Sequence, residues 1–171
     1  MSEFVRPLRL DALGPAPASR AIAATPPELA ALARRFDLAH LDALEADLTA
    51  QRIAGGIALG GRVTARGAQT CVVSGLPVAF DLTEPVALRF EPPPHADADE
   101  LELTDADLDT LPLEGDHLDL GEAAAQAMGL ALDPYPKATA SELADYRSLL
   151  VSEEDAARAA NPFAVLREGN A

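Results

Sequence analysis

Tryptophan is absent from this chain of 171 residues, aromatic side chains of any kind make up 4% of it, and there is one cysteine. The interior must therefore be built from Leu, Val and Ala, within an apolar content of 49%. A lone thiol excludes an internal disulfide and any cysteine-rich zinc site. No apolar run approaches the length that spans a bilayer, and the opening MSEFVRPLRL lacks the apolar core of a secretion signal. A cytoplasmic protein with no membrane partner is expected. Lysine and arginine are also missing from residues 91–136, which carry thirteen aspartates and glutamates.

What is present is an uneven field. The formal net charge of −15 resides almost wholly in that stretch, because residues 1–90 hold nine acidic and nine basic side chains and residues 137–171 six acidic and four basic. A broad grip on nucleic acid comes from Lys and Arg at phosphates, so this balance argues against DNA and against RNA held over a wide surface. It favours a basic partner, although the same acidity also serves plain solubility.

The length suits one domain with extensions. We read an α+β domain over residues 1–136, including an acidic loop at 91–117, and a C-terminal extension over 137–171 with a short helix and the motif NPFAVL. Residues 4–10 read as an opening strand with Phe4, Arg6, Leu8 and Leu10 on one side, and Pro7 confines it to an edge or a strand start. A Pro/Ala/Gly linker leads to ATPPELAALARRFDL. There Thr25 can cap, Pro26 suits the first helical position and Glu28 completes a capping box, with Leu29, Leu32 and Phe36 on one face. LDALEADLTAQR fits a helix through Leu41, Leu44 and Leu48. It also fits a strand in which Leu44, Ala46, Leu48 and Ala50 alternate with polar residues, and the strand-rich sequence beyond inclines the reading to strand.

Gly55-Gly56 marks a turn. After it Ile57, Leu59, Gly61, Val63 and Ala65 alternate with outward residues, and 78–82 and 86–90 repeat that logic around an interruption at Glu84-Pro85. Together these give an antiparallel, partly closed meander of four or five strands with the early helix on its apolar face. Three consecutive prolines and the acidic run make 91–117 a long mobile loop, with one short extended piece at 100–103. A helix over 121–132 follows, stopped by Asp133-Pro134 and the Pro-Tyr-Pro turn. A last helix begins at Ser152, with Asp155 in capping-box position, and ends before Pro162.

Cys71 has no His or Lys beside it in QTCVVSG, and a nucleophilic thiolate needs a base. His95 and His117 sit in the acidic segment and His40 at a helix exit. Acidic neighbours raise an imidazole pKa, which suits neither a neutral base nor a neutral metal ligand. Cys71 is therefore read as a small residue packed on a strand. Asp97, Asp99, Glu102, Asp105, Asp107 and Asp109 with His95 offer hard oxygen ligands, but DADELELTDADLD lacks the glycine of a calcium loop. It reads as a solvated segment with no resident metal or cofactor. Arg62 and Arg66 lie four apart on one side of a strand, with Arg52 and Arg89 on its neighbours. Such a stripe can touch phosphate or pair with Glu and Asp of adjacent strands, and the second reading is preferred. No phosphate-cradling glycine loop, nucleophile elbow or paired-histidine motif is present, so an enzyme is not expected.

Three segments, in the order GRVTARGAQTCVVSGLPVAF, LDLGEAAAQAMGLALDPYPKA and NPFAVL, together resemble the YceD family, the large ribosomal RNA subunit accumulation proteins. PELAALARRFDL resembles the first helix of its alphaproteobacterial members. The likeness runs from about residue 4 to residue 166. It implies a role in accumulation of 23S ribosomal RNA, and so in assembly of the large ribosomal subunit, with no catalytic activity established for the family. Many members carry a second cysteine soon after the first in a C-x-x-C-like arrangement. Ser74 stands there in this chain, so a metal or redox role does not carry over.

Ribosomal proteins are small and strongly basic, and an unbalanced acidic segment on a neutral sheet offers them a fast, salt-sensitive mask. The expected function is a non-enzymatic assembly factor that binds a basic ribosomal protein through Asp97, Asp99, Glu100, Glu102, Asp105, Asp107, Asp109, Glu114 and Asp116. One rival is direct binding of rRNA by Arg62, Arg66 and Arg89. Another, ranked last, is a magnesium-dependent RNA-processing hydrolase that uses the acidic loop. Phe163, Val165 and Leu166 follow Pro162 as an apolar cluster that docks into a partner's groove or folds back on its own domain.

Overall fold

A computed structural model describes residues 3–92, 110–113, 115–139 and 142–143. The architecture is α+β. The first helix, α1 (Pro26–Arg35), begins where its capping box dictates, with the Thr25 N–H donating to Glu28 Oε2 at 2.7 Å and the Thr25 hydroxyl to the same oxygen at 2.8 Å. Glu28 is gripped a second time, because Arg6 donates to both of its oxygens at 2.8 and 2.9 Å. Leu32 is fully buried, a burial worth about 1.5–3 kcal/mol, and Leu29 and Phe36 pack half-buried beside it.

The strands are β1 (Pro7–Arg9), β2 (Ala18–Ala23), β3 (Leu38–Ile53), β4 (Gly56–Thr70), β5 (Pro77–Glu91), β6 (Thr110–Pro112) and β7 (His117–Asp119). One sheet runs β2-β3-β4-β5-β6 and a second pairs β1 with β7. In β3 the alternation prevails over the helical propensity of Ala, Leu and Glu, since Leu44, Ala46, Leu48 and Ala50 are all buried. They lie beside Ile57, Leu59, Val63 and Ala65 of β4 on the covered face. Gly61 is the exception in that row. Its φ is +150°, and a Cβ there would fall on the Asp47 carbonyl oxygen, so β3 and β4 meet only with glycine at this point.

Four expectations need correction. The sheet is mixed rather than wholly antiparallel, because β6 runs parallel to β5 with Arg89 opposite Thr110. Residues 110–112, within the stretch read as loop, form that strand. The Pro/Ala/Gly linker contains β2, which borrows its order from pairing with β3. The opening strand is three residues long and passes into a 3-10 turn at Leu10–Ala12.

The interruption expected at Glu84-Pro85 is also absent, since β5 runs unbroken against β4 from Pro77 to Phe90. The Leu113 N–H donates to the Glu91 carbonyl at 2.7 Å, on the side away from β4. By the period of two, Pro85 turns its missing N–H to that same outer edge and costs the β4 ladder nothing.

The second helix, α2 (Leu120–Ala131), is capped by Asp119, whose Oδ1 accepts from the Gly121 and Glu122 N–H groups at 3.0 and 3.2 Å. The same oxygen accepts from the Arg6 N–H at 2.9 Å, which fastens the chain start to this helix. Leu120, Ala123, Ala124, Ala125 and Met128 are buried, so α2 shares the covering of the sheet with α1. Arg35 of α1 pairs with Glu122 at 2.6 Å and with Glu3 at 3.1 Å. No helix among the described residues is long and apolar enough to cross a membrane.

Candidate functional site

Asp97, Asp99, Glu100, Glu102, Asp105, Asp107, Asp109 and Glu114 lie outside the described residues, as do Phe163, Val165, Leu166 and the helix expected from Ser152. The framework that holds the acidic segment is described at both ends. It leaves β5 after Glu91 and returns as β6, with Thr110 opposite Arg89 and Pro112 opposite Glu91. Both ends are thus pinned to the same corner of the sheet. Asp116 follows, with an open carboxylate that meets His117 Nδ1 at 3.1 Å. That contact is the largest cause of an Asp116 pKa below the ordinary carboxylate range.

The candidate arginines share the open face of the sheet. Register sets Arg62 opposite Asp47 and Pro85, Arg66 opposite Ala43 and Asp81, and Arg89 opposite Ala58. Glu45 stands on the same face beside Thr64. Three carboxylates therefore interleave with three guanidiniums. Arg62 and Arg66 make no ion pair within 4.0 Å among the described residues, whereas Arg89 reaches Glu91 at 3.9 Å. Arg52 belongs elsewhere, since it donates to the Leu10 and Leu13 carbonyls and so fastens the first loop to β3.

Cys71 is 3% exposed. Its sulfur accepts from the Val73 and Ser74 N–H groups at 3.4 Å each and from the Ala138 N–H at 3.3 Å. The thiol is pulled from its ordinary 9.0 to about 6, first by the Ser74 side chain and then by the Ala138 N–H, while burial opposes the shift. The sulfur is thus an acceptor that ties residues 136–138 to the turn after β4, a tie completed by the Val72 N–H to the Pro136 carbonyl at 2.9 Å. The packing of Cys71 is legible in the sequence, whereas its role as an acceptor for N–H groups of a distant segment is not. Just beyond, Thr139 and Glu142 form a capping pair at 2.8 and 2.6 Å, and the Leu143 N–H donates to the Thr139 carbonyl. The T-x-x-E spacing is the signal for it, whereas in this C-terminal stretch the box is expected at Ser152.

Two cavities flank α2, of about 370 and 490 Å³, and both are walled by Leu111, Ala123 and Gln126. The sequence signal for them is the helix itself, LGEAAAQAMGLA, with one charge in twelve residues. Among the described residues no group of three or more His, Cys, Asp or Glu is placed to hold a metal ion.

No protein-family model matches the chain, and no curated protein or solved structure matches it.

Proposed function

We propose that this protein is a non-enzymatic factor that binds a basic ribosomal protein through its acidic segment, in support of 23S rRNA accumulation and large-subunit assembly. The setting comes from the resemblance to the YceD family. The observation that carries the physical part is the charge distribution: thirteen carboxylates and no Lys or Arg over residues 91–136. Seven of them, at residues 97–109, belong to a segment tethered at both ends to one corner of the sheet, which keeps those charges at high local density. A cationic protein entering that field associates fast and releases in salt.

Binding of rRNA by Arg62, Arg66 and Arg89 is the second reading. The lack of ion pairs at Arg62 and Arg66 favours it, and the carboxylates of Glu45, Asp47 and Asp81 on the same face weigh against it. One titration series separates the two. Full-length protein is measured against a basic large-subunit ribosomal protein and against protein-free 23S rRNA. Replacing the nine candidate carboxylates by Asn and Gln is expected to weaken the ribosomal protein at least tenfold, about 1.4 kcal/mol. Replacing the three arginines by Ala is expected to leave it unchanged. Loss of rRNA retention with a flatter salt dependence in the arginine variant would install the rival.

A further inference from the structure

We infer that the trough along α2 receives an apolar segment of the cationic partner, which gives the proposed acidic factor a shape-selective site next to its non-selective field. This inference rests on the reading that the partner is basic.

An α-helix buries its apolar stripe and turns its polar residues outward, and in α2 the outward stripe of Glu122 and Gln126 runs on into an apolar residue, Leu130. One face of α2 meets the core, but Gln126 and Leu130, four apart, remain open, and Leu130 is 89% exposed. Glu122, the one charge of α2, is occupied by Arg35 at 2.6 Å. The two cavities beside this face share Leu111, Ala123 and Gln126, so they form one trough from His117 to Ala131, parted at Leu111. Val86, Leu88 and Phe90 of β5 make its far wall.

The charged lining is acidic: Glu84, Asp119 and Glu122 line the trough beside His117, and no Lys or Arg does. Arg35 occupies Glu122 and Asp119 caps α2, so Glu84 is the carboxylate of the trough with neither an ion pair nor a cap among the described residues. β6 pairs with β5 only at Arg89–Glu91, so the outer edge of β5 is open from Ala87 backwards among the described residues. That edge shows the carbonyls of Thr83, Pro85 and Ala87 but the N–H groups of Thr83 and Ala87 alone, because Pro85 has none, so acceptors outnumber donors along it. A segment with leucine-like anchors among lysines or arginines complements it, placing aliphatic groups against Leu88, Ala127 and Leu130 and N–H donors against carbonyls and carboxylates. β6, whose Leu111 lines both cavities, lies in sequence between Asp109 and Glu114 of the acidic segment, so field and trough adjoin.

The test uses two labelled synthetic peptides of equal positive charge, one with two leucines spaced four apart among lysines and one with serines in their place. Both are titrated into the full chain by fluorescence anisotropy. The leucine peptide is expected to bind about tenfold tighter, the value of burying one to two apolar side chains, and Leu130→Ser is expected to abolish that preference. Leu130 is exposed, so this variant keeps its fold, which circular dichroism verifies. Equal, salt-sensitive binding of the two peptides would overturn the trough while leaving the acidic segment in its role. Failure of both to bind would remove the basic partner as well. A dimer in sedimentation that dissolves with Leu130→Ser would assign the trough to a second copy. Tighter peptide binding by Phe163→Ser in the full chain would assign it to the chain's own tail. Either result overturns the inference.

Discussion

Two side chains, Glu28 and Cys71, organise their surroundings beyond what their local motifs mark. Glu28 serves helix α1 and the chain start at once, and its carboxyl is held at about 2, below its ordinary 4.5, first by the Arg6 guanidinium and then by the Thr25 N–H. Between those values the unfolded chain takes up a proton that the folded chain refuses, so this stabilisation is complete above pH 4.5 and is lost as pH falls through 2. Glu28→Gln should cost about 1 kcal/mol near neutral pH, and thermal melts should show the deficit closing over that acid window. Cys71 gives the same sign at higher pH. Its thiol at about 6 against an ordinary 9.0 means that stability from the thiolate grows as pH rises from 6 to 9. The gap in stability between wild type and Cys71→Ser should therefore widen over that range, and ultraviolet titration of the thiolate should place its midpoint near the lower value. A midpoint near 9 would mean that the Ser74 side chain and the Ala138, Ser74 and Val73 N–H groups do not stabilise the anion.

At the scale of elements, close approaches set the pairing of parts. Gly121, at the start of α2, is packed so that a Cβ would fall on the Phe4 carbonyl oxygen, a backbone atom that cannot give way by a rotamer change. Gly121→Ala should lower stability by about 1–3 kcal/mol in urea unfolding, while Leu130→Ser, which touches no core, should stay within about 0.5 kcal/mol of wild type. The elements legible in the sequence were those with local chemistry of their own. The Thr25-Glu28 box, the alternation in β3 and β4, and the helix ended by Asp133-Pro134 all carry their signals within a few residues. β2 and β6 carry none. Ala18–Ala23 and Thr110–Pro112 are ordered by partners far away in sequence, and tertiary pairing overrides their weak propensity. Pro85 misled for the related reason that a proline breaks a strand only when its N–H side faces a neighbour. The arginine stripe was visible as a spacing, but its interleaving with Asp47 and Asp81 depends on register, which the sequence leaves open.

At the scale of the molecule, the account is of a neutral scaffold carrying an unbalanced acidic segment, with an apolar trough at its root. The charge asymmetry was legible from composition alone. The trough was not, because it requires α2 to lie beside the β5 edge that is open among the described residues. The most direct measurement of the central claim is the salt dependence of affinity between the full chain and a basic large-subunit ribosomal protein. Between about 50 and 200 mM salt, log affinity should fall steeply for the wild type, and the slope should flatten in the variant whose nine candidate carboxylates are neutralised. An affinity that is indifferent to salt, or a slope unchanged by neutralising those carboxylates, would contradict it.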